Sequence, residues 1–171
     1  MRLLLLITIL MTNLFGFIDN LESFKADFVQ NITNDKNKVL TYSGKLYSSK
    51  PQSALWIYNT PVKKSIYINR YNIVIVEPEI EQAIVRKVTT DFDFFKIIKN
   101  AKKIDDTDFV AKFENTTFKI KTKNSIIESI SYIDQFENKV KILFSNQIQN
   151  GDIDKKIFTP IIPLEFDIIR D

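Results

Sequence analysis

The residues of this chain whose types and spacing could do chemistry are carboxylates: Asp105, Asp106 and Asp108 in one run, and Glu77 with Glu81 four positions on. Neighbouring carboxylates can divide the work of general acid and general base. Both groups lie in polar, turn-like sequence, and no nucleophile or oxyanion donor accompanies them. The chain has no histidine and no cysteine, which excludes Ser/His/Asp and Cys/His sites in their usual forms, the usual zinc fingers, disulfides and a lipid-modified cysteine. With three glycines and neither GxGxxG nor GxxxxGK[ST], it offers no phosphate-cradling loop. The sequence therefore reads as no enzyme, with no cofactor and no metal, and the question becomes what its apolar residues are for.

At 171 residues, with 44% hydrophobic and 26% charged content, the chain has the size and balance of one globular domain. Its start differs from the rest: Met1-Arg2 precedes the uncharged run Leu3 to Met11, the pattern of a secretory signal peptide. The charge-free residues 3–18 fall short of the roughly 20 apolar residues that a spanning helix prefers. The expectation is a signal peptide over residues 1–16, cut after Gly16, and one domain over 17–171 that is exported to the periplasm. Loss of Arg2 would take the net charge from +3 to +2. Lysines cluster at Lys63-Lys64, Lys96 to Lys103 and Lys119 to Lys123, but with Asp and Glu interleaved they read as a solvated face, and no nucleic-acid partner is expected.

The elements that would position any site follow from periodicity. Ile18, Leu21, Phe24, Phe28 and Ile32 recur at three or four with Asp19, Glu22, Lys25 and Asp27 between them, which predicts an amphipathic helix with an aromatic stripe. After Asn34-Asp35-Lys36-Asn37 the period becomes two, through Val39–Tyr42, Lys45–Tyr47, Ala54–Tyr58, Ser65–Ile68, Tyr71–Val76 and Gln82–Arg86, so short strands joined by tight turns are expected. Asp91 can cap a second helix of roughly nine residues that carries Phe92, Phe95 and Ile98. Strands return at Phe109–Phe113, Thr116–Ile120, Ser125–Ile133 and Lys139–Phe144, several alternating apolar residues with Lys to make one wet and one buried face. The proline-broken segment Phe158–Ile169 reads as an edge strand or a covering segment. The fold expected is mainly β: an up-and-down antiparallel sheet curled into a barrel or half-barrel, with two Phe-faced helices over one face. Those aromatic stripes could fill the concavity as a dry core or leave room for an apolar ligand.

Four fragments bear on that choice. Phe24-x-Ala26-x-Phe28-x-Gln30, Gly44-x-Leu46-x-x-x-Lys50-Pro51, Leu55-Trp56-x-Tyr58-x-x-Pro61 and Glu77-Pro78-x-x-x-Gln82 occur in this order, behind the signal peptide and ahead of Phe-Thr-Pro-Ile-Ile-Pro. Together they resemble the periplasmic outer-membrane lipoprotein carrier proteins, the LolA family, over most of the mature chain. The resemblance implies an unclosed antiparallel β-barrel with a helical lid, enclosing a cavity for lipoprotein acyl chains. It makes Leu46, Trp56 and Tyr58 cavity-lining residues, and Phe24, Phe28, Phe92, Phe95 and Ile98 the inner face of the lid. It also implies the partners: acylated lipoproteins, an inner-membrane ATP-driven lipoprotein-releasing complex and, in many bacteria, an outer-membrane receptor, all served by a monomer. Where the family usually has Arg before the first proline this chain has Lys50, which would latch the lid through three donors in place of a planar fork. Where the family usually has an Asp-Gly turn it has Asn69-Arg70, and Asn also tolerates the left-handed backbone. A periplasmic sensor or interaction module of the same half-barrel shape, without lipid transfer, is the alternative.

Overall fold

The computed structural model describes residues 20–88 and 94–170. The expected signal peptide, Ile18, Asp91 and Phe92 lie outside them. In chain order the strands are β1 (Ser23–Thr33), β2 (Val39–Ser49), β3 (Ser53–Thr60), β4 (Lys64–Ile68), β5 (Asn72–Glu77) and β6 (Gln82–Lys87). A short helix α1 (Phe94–Lys99) follows, then β7 (Lys102–Lys103), β8 (Asp108–Phe113), β9 (Thr116–Lys123), β10 (Ile126–Ile133), β11 (Lys139–Gln149) and β12 (Asp167–Arg170). All twelve strands join one sheet in the order β12-β6-β5-β4-β3-β2-β1-β11-β10-β9-β8-β7. Every ladder is antiparallel except β12 against β6, which is parallel, and β12 and β7 are the edge strands, each paired on one side only. The sheet is therefore open.

The first element departs from the periodicity argument. Residues 23–33 form a strand at the centre of the sheet, between β2 and β11, and no helix. The reason lies in the spacing: a repeat of four is even, so Phe24, Phe28 and Ile32 share one face of a strand as readily as one face of a helix. The residues between them decide the matter, because Ala26 and Gln30 are buried on that same face. Lys25 and Asp27 alternate to the other side, where Lys25 lies 5.5 Å from the centre of the Tyr47 ring and Asp27 is 3.3 Å from Lys45. Phe28 packs over Gly44, its register partner, and a Cβ on Gly44 would overlap the Ile57 carbonyl oxygen and come within 3.0 Å of the Phe28 ring. Glycine is thus required there by close approach.

The sheet curls around its aromatic face. Trp56 on β3 and Phe118 and Ile120 on β9 line one cavity although five ladders separate their strands, roughly 24 Å if the sheet were flat. The main core fills this concavity with Phe24, Phe28, Leu46, Ile120, Ile130, Ile142 and Phe144, closed from above by Phe95, Ile97 and Ile98 of α1. A smaller apolar layer lies on the opposite side of the sheet. Leu55, Tyr67, Val74 and Val85 are successive register partners facing away from Trp56, and Leu55, Val74, Val76 and Ala83 are buried. The 3-10 turn Lys155–Phe158 packs on β3, after which the chain reaches the edge as β12, so the C-terminal segment both covers a face and adds an edge strand. Asn69-Arg70 does fall in the β4–β5 turn, where the Asn69 side chain accepts from the N–H groups of Tyr71 and Asn72 at 2.9 Å. Among the described residues no helix is long and apolar enough to cross a membrane.

Candidate functional site

The concave face holds an aromatic array that begins on β1. Phe28 meets Trp56 and Tyr58 edge-on at 5.0 and 5.1 Å, Trp56 stacks on Tyr58 at 6.5 Å, and Phe24 meets Phe144 edge-on at 5.2 Å. Such edge-to-face pairs add about 0.5–1.5 kcal/mol each beyond the area they bury. Tertiary pairing brings them together: Phe28 aligns with Gly44, Gly44 with Tyr58, and Leu46 with Trp56, so three strands present one surface.

Helix α1 lies across this surface. Phe95, Ile97 and Ile98 are buried, and Phe94 reaches Phe24 at 5.9 Å. The helix does not fill the concavity. On its β9–β11 side remains a cavity of about 480 Å³ walled by Trp56, Phe94, Ile98, Phe118, Ile130, Ile142 and Phe144. Thr116, Tyr132, Asp134, Gln135 and Phe136 also line it. On the other flank of α1 a gap of about 60 Å³ lies among Leu46, Ala54, Trp56, Ile68, Phe94 and Phe95. Trp56 and Phe94 border both spaces, so the helix stands between them.

The polar groups of this face are neutral where they are buried. The Tyr58 hydroxyl donates to Gln30 Oε1 at 3.0 Å. Burial pushes the Tyr58 phenol far above its ordinary value, with Tyr132 and Tyr42 adding to the shift. Burial raises Tyr132 too, reinforced by the charge of Asp134. For Asp134 burial acts upward, but hydrogen bonds from the Asn138 side chain and the Asn138 and Phe136 N–H groups prevail and hold its carboxyl below the usual range. An apolar chamber with neutral hydroxyls and one ionised carboxylate among its lining suits an apolar ligand, with dispersion and solvent exclusion as the binding forces.

Of the carboxylates with which the sequence argument began, those of Asp105 and Asp106 hold a turn. Asp105 accepts the N–H groups of Thr107 and Asp108 at 2.8 and 2.9 Å, and those bonds, Thr107 first, hold its carboxyl below the usual range. Asp106 pairs with Lys103 at 2.9 Å. Glu77 and Glu81 flank the 3-10 turn Pro78–Ile80.

Of the residues singled out in the sequence, Phe24, Phe28, Leu46, Trp56 and Tyr58 share the concave face of β1–β3, and Phe95 and Ile98 face them from α1. Phe24 and Phe28 thus belong to the floor rather than to a helical lid, the consequence of β1 being a strand. Phe92 lies outside the described residues. Lys50 sits in the β2–β3 turn, where its ammonium contacts Glu22 Oε1 at 2.6 Å and its N–H donates to the Glu22 carbonyl at 2.9 Å. Its partner is the start of β1 and not a carbonyl of α1. Sequence reasoning missed the opposite wall, Phe118, Ile120, Ile130, Tyr132, Ile142 and Phe144. Their alternation, mostly with Lys or Ser and broken by Leu143 and Ile133, marked a buried face without saying what that face encloses.

The chain matches the family model described as outer membrane lipoprotein carrier protein LolA over residues 19–107. It is 41% identical over 166 residues to the outer-membrane lipoprotein carrier protein of Campylobacter jejuni, covering 97% of each chain. It is 38% identical to that of Helicobacter pylori over 141 residues, 82% of this chain and 76% of the relative. Among solved structures, a LolA superfamily protein from Nitrosomonas europaea superposes with a TM-score of 0.52 at 11% identity, over 85% of this chain and 95% of that one. An uncharacterised conserved protein from Thermus thermophilus superposes with a TM-score of 0.55 at 6% identity, over 91% of this chain and 96% of that one. Likenesses this distant in sequence speak for the fold alone.

Proposed function

Because the chain belongs to the LolA family of outer membrane lipoprotein carrier proteins, we propose that it carries lipoproteins through the periplasm with their acyl chains held between α1 and the aromatic floor. The observation that carries this reading is the apolar cavity of about 480 Å³ left beside a helix that is itself apolar underneath. Each methylene taken from water is worth about 0.8 kcal/mol, so a multiply acylated cargo offers tens of kcal/mol gross. Measured affinities saturate near ~20 kcal/mol, and a carrier held at that limit would never release. The opposing term is α1. Loading must lift Phe95, Ile97 and Ile98 from a floor they already cover, which joins the two spaces on either side and gives back part of the gain.

With no nucleotide motif of its own, the carrier is loaded by an inner-membrane ATP-driven releasing complex and unloads downhill to an outer-membrane receptor or directly to the membrane. Residues 1–16 act as a signal peptide that is removed on export. Intact-mass measurement of the exported protein tests that point: the expected species lacks residues 1–16, and a species that retains them favours a membrane tether.

Lipoprotein binding tests the central proposal. Purified protein is expected to retain an acylated lipoprotein and to ignore the same polypeptide without acyl chains. Equal retention of the two would move the assignment to a protein-interaction module of the same shape.

A further inference from the structure

One end of the half-barrel collects apolar residues left in water. Turns 34–38 and 134–138, which join β1 to β2 and β10 to β11, stand side by side there because β1 pairs with β11, Thr33 opposite Lys139. Phe136 is 74% exposed, Ile133 60% and Val39 58%. Phe136 also lines the cavity, so this end is continuous with the candidate site. Its exposure is built in. The Asp134 carboxylate accepts the N–H groups of Phe136 and Asn138 and the Asn138 side-chain amide, each at 2.9 Å. The Asp134 and Glu137 N–H groups close the turn on the carbonyls of Asn138 and Asp134. The neighbouring turn has the same construction around Asn34, whose side chain accepts from Lys36 and Lys38. There Lys36 holds the position of Phe136, so the turn geometry does not call for an aromatic ring.

Behind this tip the outer face of the sheet is basic. Strands β8–β11 carry six lysines, Lys112, Lys119, Lys121, Lys123, Lys139 and Lys141, all exposed. Among the described residues none of the six makes an ion pair. The two carboxylates of these strands, Asp108 and Glu128, stand toward the far end from Phe136. Lys119 and Lys141 flank Ser131 across three strands, roughly 10 Å apart. The turns at the tip add Lys36 and Lys38 against Asp35, Glu114, Asp134 and Glu137, so the positive charge comes from the strands alone.

The geometry points to this end as a docking edge for the surface of an anionic phospholipid bilayer. Phe136, Ile133 and Val39 enter the interface, and Lys139, Lys119 and Lys141, on the outer face behind the tip, meet the phosphates. Apolar side chains beside lysines are the combination that holds an interfacial protein to acidic lipid. An acidic protein surface would satisfy the lysines but leave the apolar tip in water. The inference goes beyond the carrier reading and rests on it in one respect: an acyl chain leaving the cavity past Phe136 would pass into hydrocarbon without crossing water.

Sedimentation of the full chain with vesicles tests it, using phosphatidylglycerol with phosphatidylethanolamine in one arm and phosphatidylcholine alone in the other. The expected result is at least tenfold stronger binding to the anionic vesicles, weakening with salt. Each of Lys119→Gln, Lys139→Gln and Lys141→Gln should weaken binding roughly fivefold, the equivalent of about 1 kcal/mol per cation at such a surface. Val39→Ser with Ile133→Ser should weaken it while leaving the unfolding midpoint and lipoprotein loading near those of the parent. No vesicle binding, equal binding to both compositions, or indifference to the lysine changes overturns the proposal, as does an edge occupied instead by a second copy of the chain in solution. A protein that loads acylated lipoprotein yet ignores vesicles sinks the docking edge and spares the carrier reading. One that binds vesicles but takes no lipoprotein does the reverse.

Discussion

Strands β3–β6 and β8–β11 belong to one sheet and treat their outer faces in opposite ways. In β3–β6 the outer positions Leu55, Val74, Val76 and Ala83 are buried, with the C-terminal segment packed on β3 and paired with β6. In β8–β11 the outer positions carry exposed lysines, and the buried apolar residues lie on the inner face, among them Ala111, Ile120, Ile130 and Ile142. The difference is written in the strands themselves. Ser-Ile-Tyr-Ile and Asn-Ile-Val-Ile-Val are nearly continuous apolar runs, while Phe-Lys-Ile-Lys and Lys-Val-Lys-Ile alternate. A strand covered on both sides needs apolar residues at every position, and one with a wet face needs them at every second. Strand β1, at the junction of the halves, is of the alternating kind and carries the largest fully buried residues, Phe24 and Phe28.

That junction should be the most sensitive point of the molecule. Phe24→Ala removes a fully buried ring in contact with both Phe94 and Phe144, and is expected to cost about 3–5 kcal/mol in urea unfolding. A loss under 1 kcal/mol would show that the halves do not share a core. The outer faces themselves are compared by Leu55→Ala, expected to cost about 2–5 kcal/mol, and Lys141→Ala, expected within about 0.5 kcal/mol of the parent. Similar costs for the two would erase the distinction between a covered and a wet outer face.

Tyr58→Phe sharpens the account of the inner face. At neutral pH it leaves Gln30 Oε1 without its donor, a loss of about 1–3 kcal/mol. Its pH dependence carries a sign. The folded-state pKa lies above the unfolded value of 10.0, so the phenol's contribution is complete below about pH 10 and is lost as pH rises beyond it, because the unfolded chain releases the proton first. The parent should therefore lose stability above pH 10 more steeply than Tyr58→Phe. Parallel profiles would place that hydroxyl in water.

The smallest effect is expected at Lys50→Leu. Its pair with Glu22 is part-exposed, worth about 0–1 kcal/mol and screened by salt, and delivery of lipoprotein to an outer-membrane acceptor should proceed at the parent rate. Stalled delivery would restore a latch role for Lys50 that its contact with Glu22 does not supply.

Alternation, punctuated by Asn, Asp, Gly and Pro, was enough to place most strands between Val39 and Phe144 in sequence, although Val39–Tyr42 and Lys45–Tyr47 belong to one continuous β2, and β11 runs on to Gln149. The spacing of Phe95 and Ile98 marked the short helix. Periodicity failed at Phe24–Ile32, where a spacing of four satisfies both periods and the evidence for a strand, burial of Ala26 and Gln30, exists once β2 and β11 lie alongside. Half of the cavity was legible in the same way. Trp56, Tyr58 and Leu46 stand in recognisable fragments, whereas Phe118, Ile130 and Phe144 join the wall through a curl that brings β9 to β3.

The sequence by itself determined the alternation that separates wet from buried strand faces, most of the turn positions, and that neither histidine nor cysteine chemistry is available. These are local properties, set by side-chain polarity and backbone preference within a few positions. Tertiary structure alone decided that Phe24 and Phe28 form a floor beneath α1, that Lys50 meets Glu22, and that lysines from β8, β9 and β11 gather behind Phe136. Each of those outcomes depends on register between segments as far apart as β1 and β11. A one-residue slip there would turn every side chain of β1 to the opposite face, and the burial that selects against it is counted over the whole sheet rather than within any single stretch.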